Sequence, residues 1–180
     1  MNVYVVSPRA PAPRACLRRR LIQGAAGILL VGVLAAGLAW FLRAGAVSAP
    51  GDPADRAQVE AGERLYAAHC ANCHGKNLEG DPNWQSRLPN GRLRPPPLDD
   101  TGHSWHHADP LLFAIIKDGL VPPIVPAGYE TDMPAFGDKL SDKEIWSVLA
   151  FIKSRWSDEA RAYQKTVTDD TARRTRRRGN

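Results

Sequence analysis

Sulfur is scarce in this chain of 180 residues: three cysteines and two methionines, one of them the initiator. Cys16 lies far from Cys70 and Cys73, so no second Cys/His pair is available to close a tetrahedral zinc site. No βαβ pattern surrounds the remaining pair, which removes the setting of a thioredoxin-like dithiol. Acidic residues are missing from positions 1–50, which hold six arginines and no Asp or Glu. Residues 51–160 reverse the balance with eleven basic and seventeen acidic side chains, and residues 161–180 carry seven basic and two acidic. The formal net charge of +5 therefore belongs to the two ends. Nucleic-acid binding asks for Lys and Arg on a face of the folded domain, and this distribution speaks against it. No internal repeat is evident.

What is present is Cys70-Ala71-Asn72-Cys73-His74. Two cysteines three apart, with a histidine next to the second, share one side of a helical turn. Both sulfurs can then bond a porphyrin's vinyl groups while the imidazole reaches the iron. C-x-x-C-H is the spacing of c-type haem attachment. Met133 can complete the coordination: it is the one methionine besides the initiator, and it sits in a polar, proline-punctuated loop rather than in an apolar stripe. Thioether ligation of haem iron is the physical expectation there. His103, His106 and His107 are competing ligands or a small metal site. Their place just before a helix start points instead to backbone hydrogen bonds or a contact with a haem propionate.

Leu21 to Leu42 is an apolar run without charge. As a helix it spans roughly 33 Å, enough for a bilayer core of about 30 Å. Arg14, Arg18, Arg19 and Arg20 precede it and only Arg43 follows closely, which puts the N-terminus in the cytoplasm and the rest outside. The run exceeds a signal peptide's apolar core, which favours a retained anchor over cleavage near Ala46 or Ala49. Covalent haem attachment of this kind is associated with the outer face of a bacterial inner membrane, the side to which this topology assigns Cys70.

The expected organisation is a basic N-region at 1–20, a transmembrane anchor at 21–42, a tether at 43–53, a haem domain at 54–157 and a basic tail at 158–180. A first helix runs from about Ala54 to Cys70, with Val59, Gly62, Leu65, Tyr66 and His69 on one face. Residues 75–108 show no period, and a bound haem would give so long a loop a surface to pack on. Asp109 is expected to cap a helix with Pro110 in its first turn, Leu112, Ile115 and Ile116 as its buried stripe, and Gly119 at its exit. Ser141 and Glu144 form a capping box for the last helix, whose stripe is Ile145, Val148, Leu149 and Ile152. Beyond Trp156 large apolar residues are few, and the composition predicts disorder.

On these residues the chain resembles class I cytochromes c, the small Met/His monohaem electron carriers, over about residues 54–156. The resemblance is carried by the attachment motif, Asn77-Leu78-Glu79-Gly80, the prolines before Leu98, and Asp132-Met133-Pro134-Ala135-Phe136-Gly137 leading into Leu140-Ser141-Asp142. It implies an all-α fold, with three to five helices around one covalent haem c, here preceded by a single transmembrane helix. It further implies His74 and Met133 as axial ligands, Cys70 and Cys73 as thioether links, and a proline carbonyl, best matched by Pro96, on the proximal histidine. Leu98 and Trp105 join the haem surroundings, and Trp84, Arg87, Arg92, Trp105 and Tyr129 are candidate propionate donors.

The implied function is a membrane-tethered periplasmic carrier exchanging single electrons with redox protein partners, without catalysis of its own. An acidic domain could steer a basic partner. The alternatives are a cytochrome subunit of a membrane oxidoreductase complex, such as a terminal reductase or dehydrogenase, and a haem-based sensor or ligand-binding protein.

Overall fold

The structure is a computed structural model that describes residues 50–179. The basic N-region, the apolar run 21–42 and all but the last four residues of the tether lie outside the described residues. No helix among the described residues is long and apolar enough to cross a membrane.

Among the described residues five helices follow in order: α1 Arg56–His69, α2 Ala71–His74, α3 Asp109–Asp118, α4 Asp142–Ser154 and α5 Asp158–Arg178, with a 3-10 turn at Ser104–His106. The described residues contain no strand, only an isolated bridge between Arg87 and Leu93. Asp55 starts α1 by accepting from the N–H groups of Ala57 at 2.9 Å and Gln58 at 3.2 Å. The expected capping box starts α4: Ser141 Oγ accepts from Glu144 N at 3.4 Å, and Ser141 N donates to Glu144 Oε2 at 2.8 Å.

The core is the crossing of α1 and α4. Ile145, Val148, Leu149, Phe151 and Ile152 of α4 are buried, and Phe151 meets Tyr66 of α1 with ring centroids 5.2 Å apart. Gly62 carries no side chain into this crossing, so the two backbones touch. α3 leans on α4, with the rings of Phe113 and Trp146 stacked at 4.6 Å.

Two expectations are corrected. The cap of α3 is Ala108, with no side-chain bond, and Asp109 is already the first helical residue. Its carboxylate is engaged elsewhere, 2.9 Å from Lys153 Nζ through both oxygens and 2.7 Å from Gln164 Nε2. The second correction is the tail, which is helical from Asp158 to Arg178. Ser157 caps it, accepting from Ala160 N at 3.2 Å. Gln164, 2% exposed, anchors it to Asp109 and the His107 carbonyl, and Thr168 Oγ1 accepts from Asp109 N at 3.0 Å. Its anchorage is largely polar, which a count of large apolar residues does not register.

Candidate functional site

The attachment motif sits where α1 breaks. Cys70 N donates to the Tyr66 carbonyl at 2.8 Å and ends α1; its own carbonyl then accepts from Cys73 N at 3.1 Å and His74 N at 2.9 Å. Cys70, Cys73 and His74 thus share one tight turn. Tyr66, buried in the α1–α4 core, donates its hydroxyl to the Gly75 carbonyl at 2.7 Å and ties this turn to the core.

The wrapping loop returns to the turn through two backbone constraints. Leu78 is buried and has φ +68, a left-handed conformation unfavourable for a leucine and held by Leu98 N donating to its carbonyl at 2.8 Å. Gly80 has φ +63, and a Cβ there would lie 2.4 Å from Pro97 N and 2.5 Å from Pro96 C. Only a glycine lets the triple-proline segment pass this closely. The passage places the Pro96 carbonyl 2.9 Å from His74 Nδ1. An Nδ1–H donating to that oxygen leaves the Nε2 lone pair free, turned by a fixed and more basic ring. Burial lowers the His74 pKa, more than the Pro96 bond raises it, so the imidazole is neutral at pH 7. Burial, with Cys73 adding to it, pushes the Cys70 thiol up to about 11.

Met133 packs with the buried cluster of Phe136, Leu140 and Ile145, whereas Cys70, Leu98 and Trp105 pack with the larger cluster around Tyr66 and Phe151. Leu65, Phe113 and Ile116 pack against both clusters. Leu98 also gives its carbonyl to Trp156 Nε1 at 2.8 Å. Trp105 turns toward α5: its ring lies 3.8 Å from His106 and 5.5 Å from Tyr163, and its indole N–H reaches the Asp100 carbonyl at 3.3 Å.

The three histidines divide: His106 packs on Trp105 and Tyr163, and the other two meet each other. His103 lies flat on Trp84 at 5.5 Å and meets His107 edge-on at 5.4 Å, and burial lowers the pKa of both. Among the described residues no group of three or more His, Cys, Asp or Glu is arranged to hold a metal ion. Of the other candidate donors, Arg87 donates to the Gly91 carbonyl at 2.7 Å, and Tyr129 closes a local turn with its N–H on the Pro126 carbonyl at 3.2 Å.

Arg92 and Arg94 differ from these in one respect. The Nε of each is shielded from water; that of Arg94 has no partner, whereas that of Arg92 lies 3.5 Å from Glu130 Oε2, and the outer nitrogens of Arg94 and Arg92 pair with Asp81 and Asp132 respectively. An unpartnered donor at Arg94, two positions before Pro96, suits a group that brings its own carboxylates, as a haem does. The donor set fits the same group: two thiols, a neutral imidazole and a thioether. Sequence reasoning missed Arg94. Its one signal was an arginine immediately before the proline run, and nothing in the spacing said that its Nε would be enclosed.

Comparison with known proteins agrees in kind. The family model described as "Cytochrome C oxidase, cbb3-type, subunit III" matches residues 57–152, more than half of the chain. The chain is 29% identical over 112 residues to a protein of Pantoea cypripedii described as "Gluconate 2-dehydrogenase cytochrome c subunit", an alignment covering 61% of this chain and 22% of that protein. The chain thus spans about a fifth of the length of this curated relative. No solved structure matches.

Proposed function

The chain belongs to the cytochrome c family whose model is that of cbb3-type cytochrome C oxidase subunit III, and from this we propose a one-haem electron carrier with His74 and Met133 as axial ligands. The family implies covalently bound haem c. The observation that supports the site best is the His74 Nδ1 contact with the Pro96 carbonyl at 2.9 Å, on the turn that carries both thiols.

Bound at this turn, haem c supplies reversible exchange between Fe(III) and Fe(II). Cys70 and Cys73 would hold it through thioethers, and His74 would present Nε2 to the iron. Met133 would offer a soft sulfur, which favours ferrous iron and a higher potential than two imidazoles would give. With His74 and Met133 both holding the iron, the chain would carry electrons without catalysis of its own. Arg94 offers its enclosed Nε–H to a propionate.

The proposal extends to the membrane. The apolar run 21–42, with arginines before it, supports a single span with the haem domain on the periplasmic side of a bacterial inner membrane. Tethering would raise its effective concentration near membrane oxidoreductases. A second reading, a cytochrome subunit of a dehydrogenase complex, is favoured by the relative's description.

A haem stain of denatured membrane and soluble fractions tests attachment and anchoring together. Wild type should stain in the membrane fraction and Cys70→Ala/Cys73→Ala should not; free thiols at both positions in the mature protein would end the haem reading. Met133→Ala should lower the reduction potential and let carbon monoxide bind the reduced protein. Ready carbon monoxide binding by wild type would instead support a sensor. Stoichiometric co-purification of other subunits in mild detergent would select the complex over the free carrier.

A further inference from the structure

Met133 is held from its C-terminal side by backbone. Phe136 N and Gly137 N donate to the carbonyls of Ile116 and Lys117 at the end of α3, each at 2.9 Å, and the Phe136 ring is buried. The chain on the N-terminal side of Met133 has no comparable support. Over residues 125–133 the hydrogen bonds are local, such as Tyr129 N on the Pro126 carbonyl and Met133 N on Thr131 Oγ1 at 3.0 Å. The exception is Arg92, forty positions before Asp132 and on the loop that carries Pro96. Its Nη1 pairs with Asp132, the residue next to Met133, and its Nε lies 3.5 Å from Glu130 Oε2.

We propose that Arg92 is a positioning residue for Met133: it ties the upstream half of the methionine loop to the loop that orients His74, and thereby sets how readily the thioether leaves the iron. The inference rests on the reading of Met133 as an axial ligand. One guanidinium spanning two carboxylates two residues apart fixes the path of the chain into Met133, where a single contact would leave it free to swivel. Arg suits this role because its planar fork addresses two oxygens at once; a lysine offers a point charge. The side chains are partly exposed, Glu130 at 69%, Asp132 at 53% and Arg92 at 35%, so the tie is modest in strength and open to salt. That suits a device that biases an equilibrium and does not lock it.

The test uses the full-length haem-loaded protein as wild type, Arg92→Gln, Arg92→Lys, and Arg64→Gln as a charge control on the exposed face of α1. The ferric proteins are titrated with imidazole while the iron–thioether charge-transfer band is followed, and amide hydrogen exchange is read over residues 125–133. Arg92→Gln should bind imidazole about three- to tenfold more tightly, as expected for losing two partly exposed ion pairs, and should exchange faster over that segment. Arg92→Lys should fall between, and Arg64→Gln should match wild type. Raising salt should move wild type toward Arg92→Gln and leave that variant in place. Wild-type imidazole affinity and exchange in Arg92→Gln overturns the proposal, as does an equal effect in Arg64→Gln. Should Arg92→Gln fail to fold, Arg92→Lys and the salt series decide by the same criteria. A wild-type protein without the thioether band defeats the Met133 reading instead; the tie between the loops then stands or falls on the exchange data.

Discussion

A Cβ added to Gly62 would lie 1.9 Å from the carbonyl oxygen of Ser147 and 2.9 Å from the Cβ of Phe151. The neighbour at 1.9 Å is backbone of α4, which cannot rotate aside as a side chain would. Gly62→Ala therefore sets two effects against each other. Alanine gains about 1 kcal/mol of helix propensity in α1. Forcing the helices apart disturbs Tyr66, Phe151 and Val148, all buried, and overpacking of this kind costs about 1–3 kcal/mol or more. A net loss of about 2 kcal/mol is expected, read as a Tm lower by roughly 10 °C. A Tm at or above wild type would show that the crossing opens without penalty.

Tyr66 connects that crossing to the attachment turn. Its ring is 1% exposed and its hydroxyl donates to the Gly75 carbonyl at 2.7 Å; burial raises its pKa, so it remains a donor throughout the neutral range. Tyr66→Phe keeps the ring and removes the bond, at an expected loss of about 1 kcal/mol. Because Gly75 directly follows His74, hydrogen exchange should quicken around residues 73–80 more than in α4. Uniform acceleration along the chain would mean that the bond supports the fold and not the turn.

α5 depends on a buried polar cluster. Lys153 is 7% exposed and bonds both oxygens of Asp109, which also meets Gln164 at 2.7 Å. Lys153→Ala leaves a largely enclosed carboxylate without its cation, and a loss of about 3 kcal/mol is expected. Gln164→Ala removes the bonds from α5 to the Asp109 carboxylate and the His107 carbonyl and leaves the Lys153–Asp109 pair in place. Protease cleavage between Tyr163 and Arg178 should then rise while the Tm of the rest changes little. A fall in Tm comparable with that of Lys153→Ala would make α5 part of the cooperative core.

The elements legible in the sequence are those whose determinants are local. The Ser141/Glu144 box, the stripe from Ile145 to Ile152 and the turn of Cys70, Cys73 and His74 are each specified within about a dozen residues. The pairing of His74 with Pro96 was reached through family resemblance, and its geometric cause, the close approach of Gly80 to Pro96 and Pro97, requires the fold. Asp109 misled because an acid before a proline satisfies the rule for a cap, while its charge is needed by Lys153, 44 positions away. α5 escaped notice because Gln164, Thr168 and Ser157 hold it with hydrogen bonds, and apolar periodicity is blind to those. The enclosed, unpartnered Nε of Arg94 is a matter of long-range burial, which no pattern of residues announces.

The capping box of α4 makes stability depend on pH in a calculable direction. Glu144 Oε2 accepts from Ser141 N at 2.8 Å and Ser141 Oγ at 2.7 Å, and these bonds, the hydroxyl's first, hold its carboxyl below the usual range. A depressed value in the folded state means that the folded protein binds this proton less readily than the unfolded chain. The stabilisation is therefore complete above the unfolded value of about 4.3 and is lost as pH falls through the lower folded value. Glu144→Gln keeps an oxygen that can accept but cannot ionise. Urea unfolding should give wild type the higher midpoint at pH 7, with the gap narrowing as the pH drops below 4 and closing once Glu144 is protonated in both states. A gap of constant size across that range would assign the contribution to the shape of the side chain and not to its charge.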